Sequence, residues 1–192
     1  MSQADIDSFV LYARMGLLTP ERVTTAVVDR GIPVNGQESE FGWTALQWAV
    51  MNQRREVVVA LLAAGADANV RQKVCGFTPV LVAALYSTAD ILQLLIDSGG
   101  SVNKPNYYDS TPLMELVRNI NGDVVARLQV LFACPELDLD AKCQGKTAEE
   151  WAVQKEHFGC AAAIAEERRR RMLWSTLRWT WIAAINRTGL ST

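Results

Sequence analysis

The strongest constraint on this sequence is a set of residues that recurs at nearly fixed spacing. Successive glycines and asparagines of the set are 34 positions apart, and successive threonines are 33 to 36 positions apart. The set comprises Gly31, Gly65 and Gly99, then Asn35, Asn69 and Asn103, then Thr44, Thr78, Thr111 and Thr147. A period of this length indicates one supersecondary unit that is copied and stacked. It therefore predicts a solenoid, and it favours binding over catalysis.

Each copy carries the signals of two helices followed by a turn. In the second copy, residues 42–49 begin a first helix, for which Thr44 is a suitable N-cap, and residues 55–63 form a second, apolar helix. In the third copy Pro79 follows the capping threonine, at the first helical position, where a missing N–H costs nothing. Gly65 follows the second helix, where a left-handed residue is favoured.

This unit resembles the ankyrin repeat, whose two antiparallel helices and β-turn loop carry a T-P-L-H-x-A signature. The matching motifs are Gly42-Trp43-Thr44-Ala45-Leu46, Gly76-Phe77-Thr78-Pro79 and Thr111-Pro112-Leu113. The resemblance implies an all-α fold, a solenoid of stacked helix pairs with β-turn loops, over residues 1–167. We expect five repeats, at residues 5–35, 39–69, 73–103, 107–140 and 144–166. Residues 168–192 are expected to form an additional C-terminal helix and a short tail, rich in Arg and Trp.

Two departures from the family pattern stand out. The signature histidine is replaced in the four copies by Gln47, Leu81, Met114 and Glu150. In the family this histidine ties neighbouring loops together, so its loss implies softer loops, offset in part by larger apolar residues such as Trp48. The fourth copy has two or three extra residues near 119–123 and ends in Cys134-Pro135. Insertions of that kind fall in loops, often on a binding face.

Composition and cysteine usage indicate an intracellular globular protein. The chain of 192 residues is 49% hydrophobic and 21% charged, which is typical of a soluble domain. Its start is acidic, with Asp5 and Asp7, and lacks the features of a signal or transit peptide. The four cysteines, Cys75, Cys134, Cys143 and Cys160, show no C-x-x-C spacing. We therefore expect a reducing compartment, cytoplasmic or nuclear.

The residues that carry chemistry do not indicate catalysis. His157 is the only histidine, three residues before Cys160, and no fourth ligand completes a zinc-module spacing with Cys143. A surface histidine beside a small buried cysteine is the preferred interpretation. The sequence has no Gly-rich phosphate loop and no nucleophile elbow. We expect no catalytic residue, metal, cofactor or small-molecule substrate.

The resemblance also implies a partner-binding surface, because in the family the loop tips and first helices form the concave face that binds proteins. Carried over by position, the contact residues are Phe41, Trp43, Met51, Asn52, Val74, Phe77, Leu85, Tyr86, Tyr107, Tyr108, Ser110, Arg118 and Asn119. Trp43, Phe77 and Ser110 occupy one slot in successive copies, so stacking should place them side by side. Exposed rings dominate interface energetics, although some rings could instead pack on neighbouring loops. Trp48 and Trp151 occupy signature positions that face the stack and are expected in the core.

The C-terminal segment differs from the rest in charge. Past Glu167 it has six arginines and no acidic residue, so it carries +6, and the part of the chain up to Glu167 carries −8 because the whole totals −2. In a helix, one apolar stripe would contain Leu173, Trp174, Leu177, Trp181 and Ile185.

Three interpretations of this segment remain open. It is a cap folded back over the last repeat, an anchor that binds a partner through Trp174, Leu177 and Trp181, or a membrane-surface helix over residues 168–185. The apolar run from Met172 to Ile185 is too short to span a bilayer. Nucleic acid is disfavoured, because the acidic solenoid would repel it.

Together these features predict a non-catalytic interaction adaptor or scaffold that binds a protein partner on its concave face. One alternative is a peripheral membrane scaffold attached through the C-terminal helix. Another is a ubiquitin-ligase substrate adaptor, because Leu173, Leu177 and Trp181 have the spacing of a short helical box found in some ankyrin proteins, without its cysteine.

Overall fold

The computed structural model describes residues 2–188 and, within its last helix, leaves out the side chains of Ser175 and residues 178–188. Over residues 2–188 the chain forms ten α-helices, which are α1 (Gln3–Arg14), α2 (Pro20–Thr24), α3 (Ala45–Met51), α4 (Arg55–Ala63), α5 (Pro79–Tyr86), α6 (Ala89–Asp97), α7 (Pro112–Arg118), α8 (Val124–Phe132), α9 (Ala148–Gln154) and α10 (Phe158–Thr188). A π-helical turn, Thr25–Asp29, continues α2. Extended pairing in this part of the chain is limited to isolated bridges, so the fold is all-α as expected.

The helices stack in two layers. The first helices of the repeats, α1, α3, α5, α7 and α9, pack in chain order, and the second helices α2, α4, α6 and α8 pack in chain order behind them. The last helix, α10, packs mainly against α9. A single apolar core runs through both layers from Phe9 to Ile164. The stack is therefore the solenoid that the repeat period predicts.

The predicted start and stop signals act as expected. The Thr44, Thr78, Thr111 and Thr147 hydroxyls each accept a hydrogen bond from the backbone N–H three residues on. Each threonine thereby satisfies one of the free donors at the start of a first helix. At the other end of the unit, Gly65 has a φ of +88°, in the left-handed region that favours glycine.

The recurring asparagines join each repeat to the next. Asn69 donates from Nδ2 to the Gly99 carbonyl at 2.8 Å, and its Oδ1 accepts from the Ser101 N–H at 2.9 Å. Asn35 and Asn103 make the equivalent pair of bonds to the repeats that follow them. The regular spacing of asparagine thus reflects an inter-repeat ladder along the turns.

Gln47 takes over the role of the missing signature histidine. It is fully buried, and its Nε2 donates to the Phe77 carbonyl at 2.6 Å and to the Val70 carbonyl at 3.2 Å in the next repeat. Its Oε1 accepts from the Thr44 N–H at 2.8 Å. The expectation of softer loops is therefore wrong at this junction, because an amide makes the same kind of loop-to-loop bonds as an imidazole.

The insertion in the fourth repeat is held by a buried arginine. Arg127, on α8, is 2% exposed, and its guanidinium donates to the Ala84 carbonyl at 2.7 Å, to the Asn121 carbonyl and to the Asp123 carbonyl. Burial lowers the pKa of Arg127, although Asp123 opposes this shift. One side chain therefore fixes the extra residues of the loop to the third repeat.

The C-terminal segment is helical, but it continues the second helix of the last repeat. α10 runs from Phe158 to Thr188 as one helix of 31 residues. Between Cys160 and Thr188 the sequence has no glycine or proline that would end it. The expected additional helix is therefore the extension of this one helix, and residues 189–192 of the expected tail lie outside the described residues.

Candidate partner-binding surface

The loop tips that precede the first helices are bonded to one another in series. Gln72 Nε2 donates to the Phe41 carbonyl at 2.5 Å, and the Tyr107 N–H donates to the Cys75 carbonyl at 2.9 Å. The Cys143 thiol then donates to the Tyr108 carbonyl at 3.1 Å. The tips of the second to fifth repeats therefore lie side by side, as stacking predicts.

Three buried polar side chains hold the backbone of these tips in place. Glu38, Gln72 and Asn106 each accept hydrogen bonds from backbone N–H groups of their own tip. The Glu38 carboxylate, for example, accepts from the Phe41 and Trp43 N–H groups. We did not identify these residues from the sequence, although their regular spacing and polar character were visible there.

Apolar side chains project from the tips into solvent. Phe41 is 41% exposed, Val74 59%, Tyr107 52% and Tyr108 61%. Each of these four was predicted as a contact residue. They form the set that we call the tip row. Exposed aromatic side chains on fixed loops are suited to bury area against a partner with little loss of entropy.

The aromatic side chains at the start of the tip row form a cluster with an arginine. The rings of Trp43 and Trp48 stack with centroids 4.7 Å apart, and the Arg14 guanidinium lies 5.4 Å from the Trp48 centroid and 5.8 Å from the Phe41 centroid. Trp43 and Trp48 are both half-buried. The expectation that Trp48 lies in the core is therefore wrong in part, because one of its faces is covered by Trp43 and not by the stack.

Cations also cover rings further along the surface. The Arg71 guanidinium lies 5.6 Å from the Tyr107 centroid, and that of Arg118 lies 4.4 Å from Trp151. Trp151 itself is buried, as expected, and donates from Nε1 to the Cys143 carbonyl. Arginine over a ring orders both side chains, so these cations support the shape of the surface.

Two predicted contact residues are buried. Leu85 is 2% exposed inside α5, where it faces the stack. Ser110 is fully buried, because Asn106 Oδ1 accepts its N–H at 3.0 Å and draws the loop inward. Neither can contact a partner without rearrangement, so both assignments are wrong. Ser110 consequently does not continue the line of Trp43 and Phe77, the second of which is half-buried.

The remaining predicted residues on the first helices are at least partly exposed, but most also have structural partners. Asn52 donates from Nδ2 to the Ala13 and Arg14 carbonyls of the first repeat. Asn119 donates to the Glu115 carbonyl and carboxylate, and Arg118 pairs with the same carboxylate. Met51 is half-buried against the core, and Tyr86 is 44% exposed.

The arginine run at the end of the solenoid is largely used within the protein. Arg171 donates to the Phe132 carbonyl at the C-terminal end of α8, to the Cys134 and Leu137 carbonyls in the turn that follows, and to the Glu167 carboxylate at 2.7 Å. The Phe132 carbonyl is one of the last four of α8, which have no partner within the helix, so the guanidinium acts as a C-cap from a different helix.

A second arginine joins α10 to the end of the fourth repeat and to α9. Arg168 donates to the Leu139 carbonyl and pairs with Asp140 at 3.1 Å and with Glu149. Sequence reasoning treated the run as one block of charge and did not detect either role.

Glu167 is the buried centre of this charged cluster. Its side chain is 6% exposed. Burial raises the pKa of its carboxyl, but hydrogen bonds from Arg170 and Arg171 outweigh this effect, so the pKa lies below its usual value of 4.5. The carboxylate is therefore ionised at neutral pH and neutralises part of the arginine run.

Beyond Arg171 the helix α10 leaves the solenoid. Leu173 is 59% exposed, Trp174 68% and Leu177 60%, so most of each of these residues faces solvent. The side chain of Trp181, which was predicted to bind with them, lies outside the described residues. Exposure of Trp174 disfavours the cap interpretation and leaves the anchor and membrane-surface interpretations open.

The described residues also bear on metal and thiol chemistry. No group of three or more His, Cys, Asp or Glu side chains among them could hold a metal ion. His157 Nδ1 donates to the Val117 carbonyl at 2.7 Å, which ties the last repeat to the fourth. Burial raises the pKa of the Cys134 and Cys160 thiols, so neither is activated as a nucleophile.

Comparison with known proteins places the chain in a family. The family model described as Ankyrin repeats (3 copies) matches residues 58–170, and the one described as Ankyrin repeat matches residues 41–73. The chain belongs to the ankyrin-repeat family.

Curated relatives match parts of the chain. Mouse ankyrin repeat and SOCS box protein 11 is 36% identical over 119 residues, 62% of this chain and 35% of that protein. Human 2-5A-dependent ribonuclease is 40% identical over 65 residues, 34% of this chain and 9% of that protein. The E3 ubiquitin-protein ligase KEG of Arabidopsis thaliana is 34% identical over 76 residues, 39% of this chain and 5% of that protein. The chain thus spans about a third or less of these relatives.

Among the described residues, no helix has the length and apolar character needed to cross a membrane. This includes α10, whose described segment carries the arginine run. Ankyrin repeats as a class support binding to other proteins.

Proposed function

We propose that this chain is a non-catalytic adaptor, in the cytoplasm or nucleus, that binds a segment of a partner protein across the tip row. The observation that carries the proposal is the exposure of Phe41, Val74, Tyr107 and Tyr108 on consecutive tips that are hydrogen-bonded to one another. Because the tips are already ordered, binding costs little conformational entropy, and ring burial contributes directly to affinity.

The partner can be identified by affinity purification of the full chain with quantitative mass spectrometry. The test variant is Tyr107→Ala/Tyr108→Ala, and the matched control is Tyr12→Ala, an exposed tyrosine at the N-terminal end of the stack. We expect the double variant to lose a defined set of partners that the control retains. A hot-spot ring contributes about 2 kcal/mol, so two such rings can lower affinity by about a thousandfold.

A shortened chain separates this function from that of α10. A chain ending at Arg171 keeps the bonds of Arg168 and Arg171, whereas one ending at Glu167 would lose them. If the partner set survives in Tyr107→Ala/Tyr108→Ala but disappears on ending the chain at Arg171, the proposal is wrong and the anchor interpretation is correct. Binding to anionic vesicles that also depends on residues 172–192 would instead establish the membrane scaffold.

A second candidate is substrate recognition within a ubiquitin ligase. It is supported by the relative named an E3 ubiquitin-protein ligase and by the spacing of Leu173, Leu177 and Trp181. Copurification of ligase subunits that require residues 172–192, together with other proteins that require Tyr107 and Tyr108, would support this function.

A further inference from the structure

An apolar groove lies on the side of the solenoid formed by the second helices. It separates α8 from α10, encloses about 680 Å³ and is lined by Ile120, Val125, Leu128, Phe132, Phe158 and Ala163. Ile120 is 42% exposed, Val125 65% and Phe158 64%. Clefts that hold ligands of considerable size span roughly 300–1,000 Å³, so the groove can take several large side chains.

The groove side of α10 continues into the part of the helix that leaves the solenoid. Gly159, Ala163, Glu166 and Arg170 line the groove at spacings of three and four residues. The same spacing leads on to Trp174 and Leu177, both at least 60% exposed. Residues at these spacings share one face of a helix. An apolar groove and an apolar projecting segment therefore follow each other along one side of α10.

We propose that the groove is filled by the projecting segment of a second copy of this chain, in an antiparallel pair of α10 helices. A twofold axis beside Arg170–Trp174 would lay each segment 172–188 along the partner's groove. The groove side of α10, residues 158–170, is about 20 Å long and the projecting segment about 25 Å, so the two match in length. Such an isologous contact covers both apolar surfaces of both copies at once.

Side-chain size is complementary in this register. Position 163 of one copy, an alanine, lies opposite position 181 of the other, a tryptophan. Position 159, a glycine, lies opposite position 185, an isoleucine. A Cβ added at Gly159 would meet nothing within 4 Å, so the partner helix has room there. Small residues opposite large ones let two helices approach closely.

Charge is complementary as well. The charged residues that line the groove are Glu156, Glu166, Glu167 and Arg170, three acids and one base, whereas residues 172–188 contain Arg178 and Arg187 and no acidic residue. The same register places position 178 of one copy, an arginine, opposite position 166 of the other, a glutamate. An acidic border favours a basic helix over an anionic membrane as the occupant. The groove lies on the second helices and not on the tip row, so this pairing is independent of the proposed partner binding.

Sedimentation velocity of the full chain at ~1–100 µM tests the pairing. Ala163→Glu places a charge in the groove, and Ala162→Glu makes the same change at the neighbouring, exposed position. We expect the unchanged chain and Ala162→Glu to dimerise with similar affinity. Ala163→Glu should raise the dissociation constant at least about thirtyfold, as at an interface hot spot.

A charge exchange between two positions distinguishes loss of pairing from a folding defect in Ala163→Glu. Glu166→Arg and Arg178→Glu should each weaken the dimer, and Glu166→Arg/Arg178→Glu should restore it. A chain that is monomeric throughout this range would overturn the proposal. So would equal dimerisation of Ala163→Glu and the unchanged chain, or a double variant no stronger than either single one.

Discussion

The junctions between the inner repeats and the junction of α10 with the fourth repeat are built differently. Inner repeats are joined by neutral amides, from Asn35, Asn69 and Asn103 along the turns and from Gln47 beneath the tips. The end of α8 is joined to α10 by Arg171, whose charge is shared with Glu167. The asparagine bonds recur with the period of the sequence, whereas the Gln47 bonds occur at one junction and the Arg171 bonds occur where the stack ends.

The difference follows from what each junction must satisfy. An inner repeat has a like repeat on each side, so a short amide can reach the same carbonyl and N–H each time. At the end, α10 passes the Phe132 carbonyl at the end of α8 and the Cys134 and Leu137 carbonyls of the turn after it, and a long cationic side chain can reach all three. The end of α8 therefore depends on one charged side chain, whereas the inner repeats combine the amide bonds with cations such as Arg127.

The largest expected effect comes from removing Arg171, the charged side chain that joins α10 to the end of α8. Arg171→Ala should lower the free energy of unfolding by about 3 kcal/mol, because it removes the donor to carbonyls at the end of α8 and in the following turn and leaves Glu167 with one partner fewer. The matched control is Arg169→Ala, since the Arg169 side chain is 65% exposed and, in the described part of the chain, its ion pair is with the exposed Glu166. That change should cost less than about 1 kcal/mol. Urea denaturation followed by circular dichroism measures both, and equal losses would show that Arg171 does not close α8.

Removing the Gln47 amide should lower the free energy of unfolding by a smaller amount. Gln47→Leu keeps the volume of the side chain but leaves the Phe77 and Val70 carbonyls without their partner, so we expect a loss of about 2 kcal/mol. Gln93→Leu is its control, because Gln93 bonds only to Asp97 on the same helix. A Gln47→Leu protein as stable as this control would contradict the role assigned to Gln47.

The sequence predicted those features that local chemistry or the repeat period determines. Thr44, Thr78 and Thr111 cap helices through bonds to residues three positions away, and Gly65 meets a backbone requirement at its own position. Such features need no knowledge of the rest of the fold. Glu38 and Gln72 share the period too, but they were overlooked because a polar residue in a loop is the ordinary case.

The features that were missed depend on contacts between distant residues. Arg127 and Arg171 bond to main-chain carbonyls, which every residue has, so their partners leave no trace in the sequence. Gln47 was misjudged because only the identity of the signature residue was compared, and not its capacity to donate. Ser110 was placed on the surface by its slot in the repeat, whereas Asn106 draws its loop inward.

The smallest expected effect is the difference in pH dependence between the charged junction at Glu167 and the neutral junction at Gln47. Because the pKa of Glu167 is lowered by folding, its contribution to stability is complete above the unfolded pKa of about 4.5 and is lost as pH falls through the folded value. Glu167→Gln should therefore cost about 1–2 kcal/mol at pH 7, and its difference from the unchanged chain should shrink below about pH 4.5. Gln47→Leu removes a neutral group, so its difference should stay constant with pH. Urea denaturation across this range distinguishes the two, and a cost of Glu167→Gln that does not change with pH would mean that the charge of Glu167 does not stabilise α10.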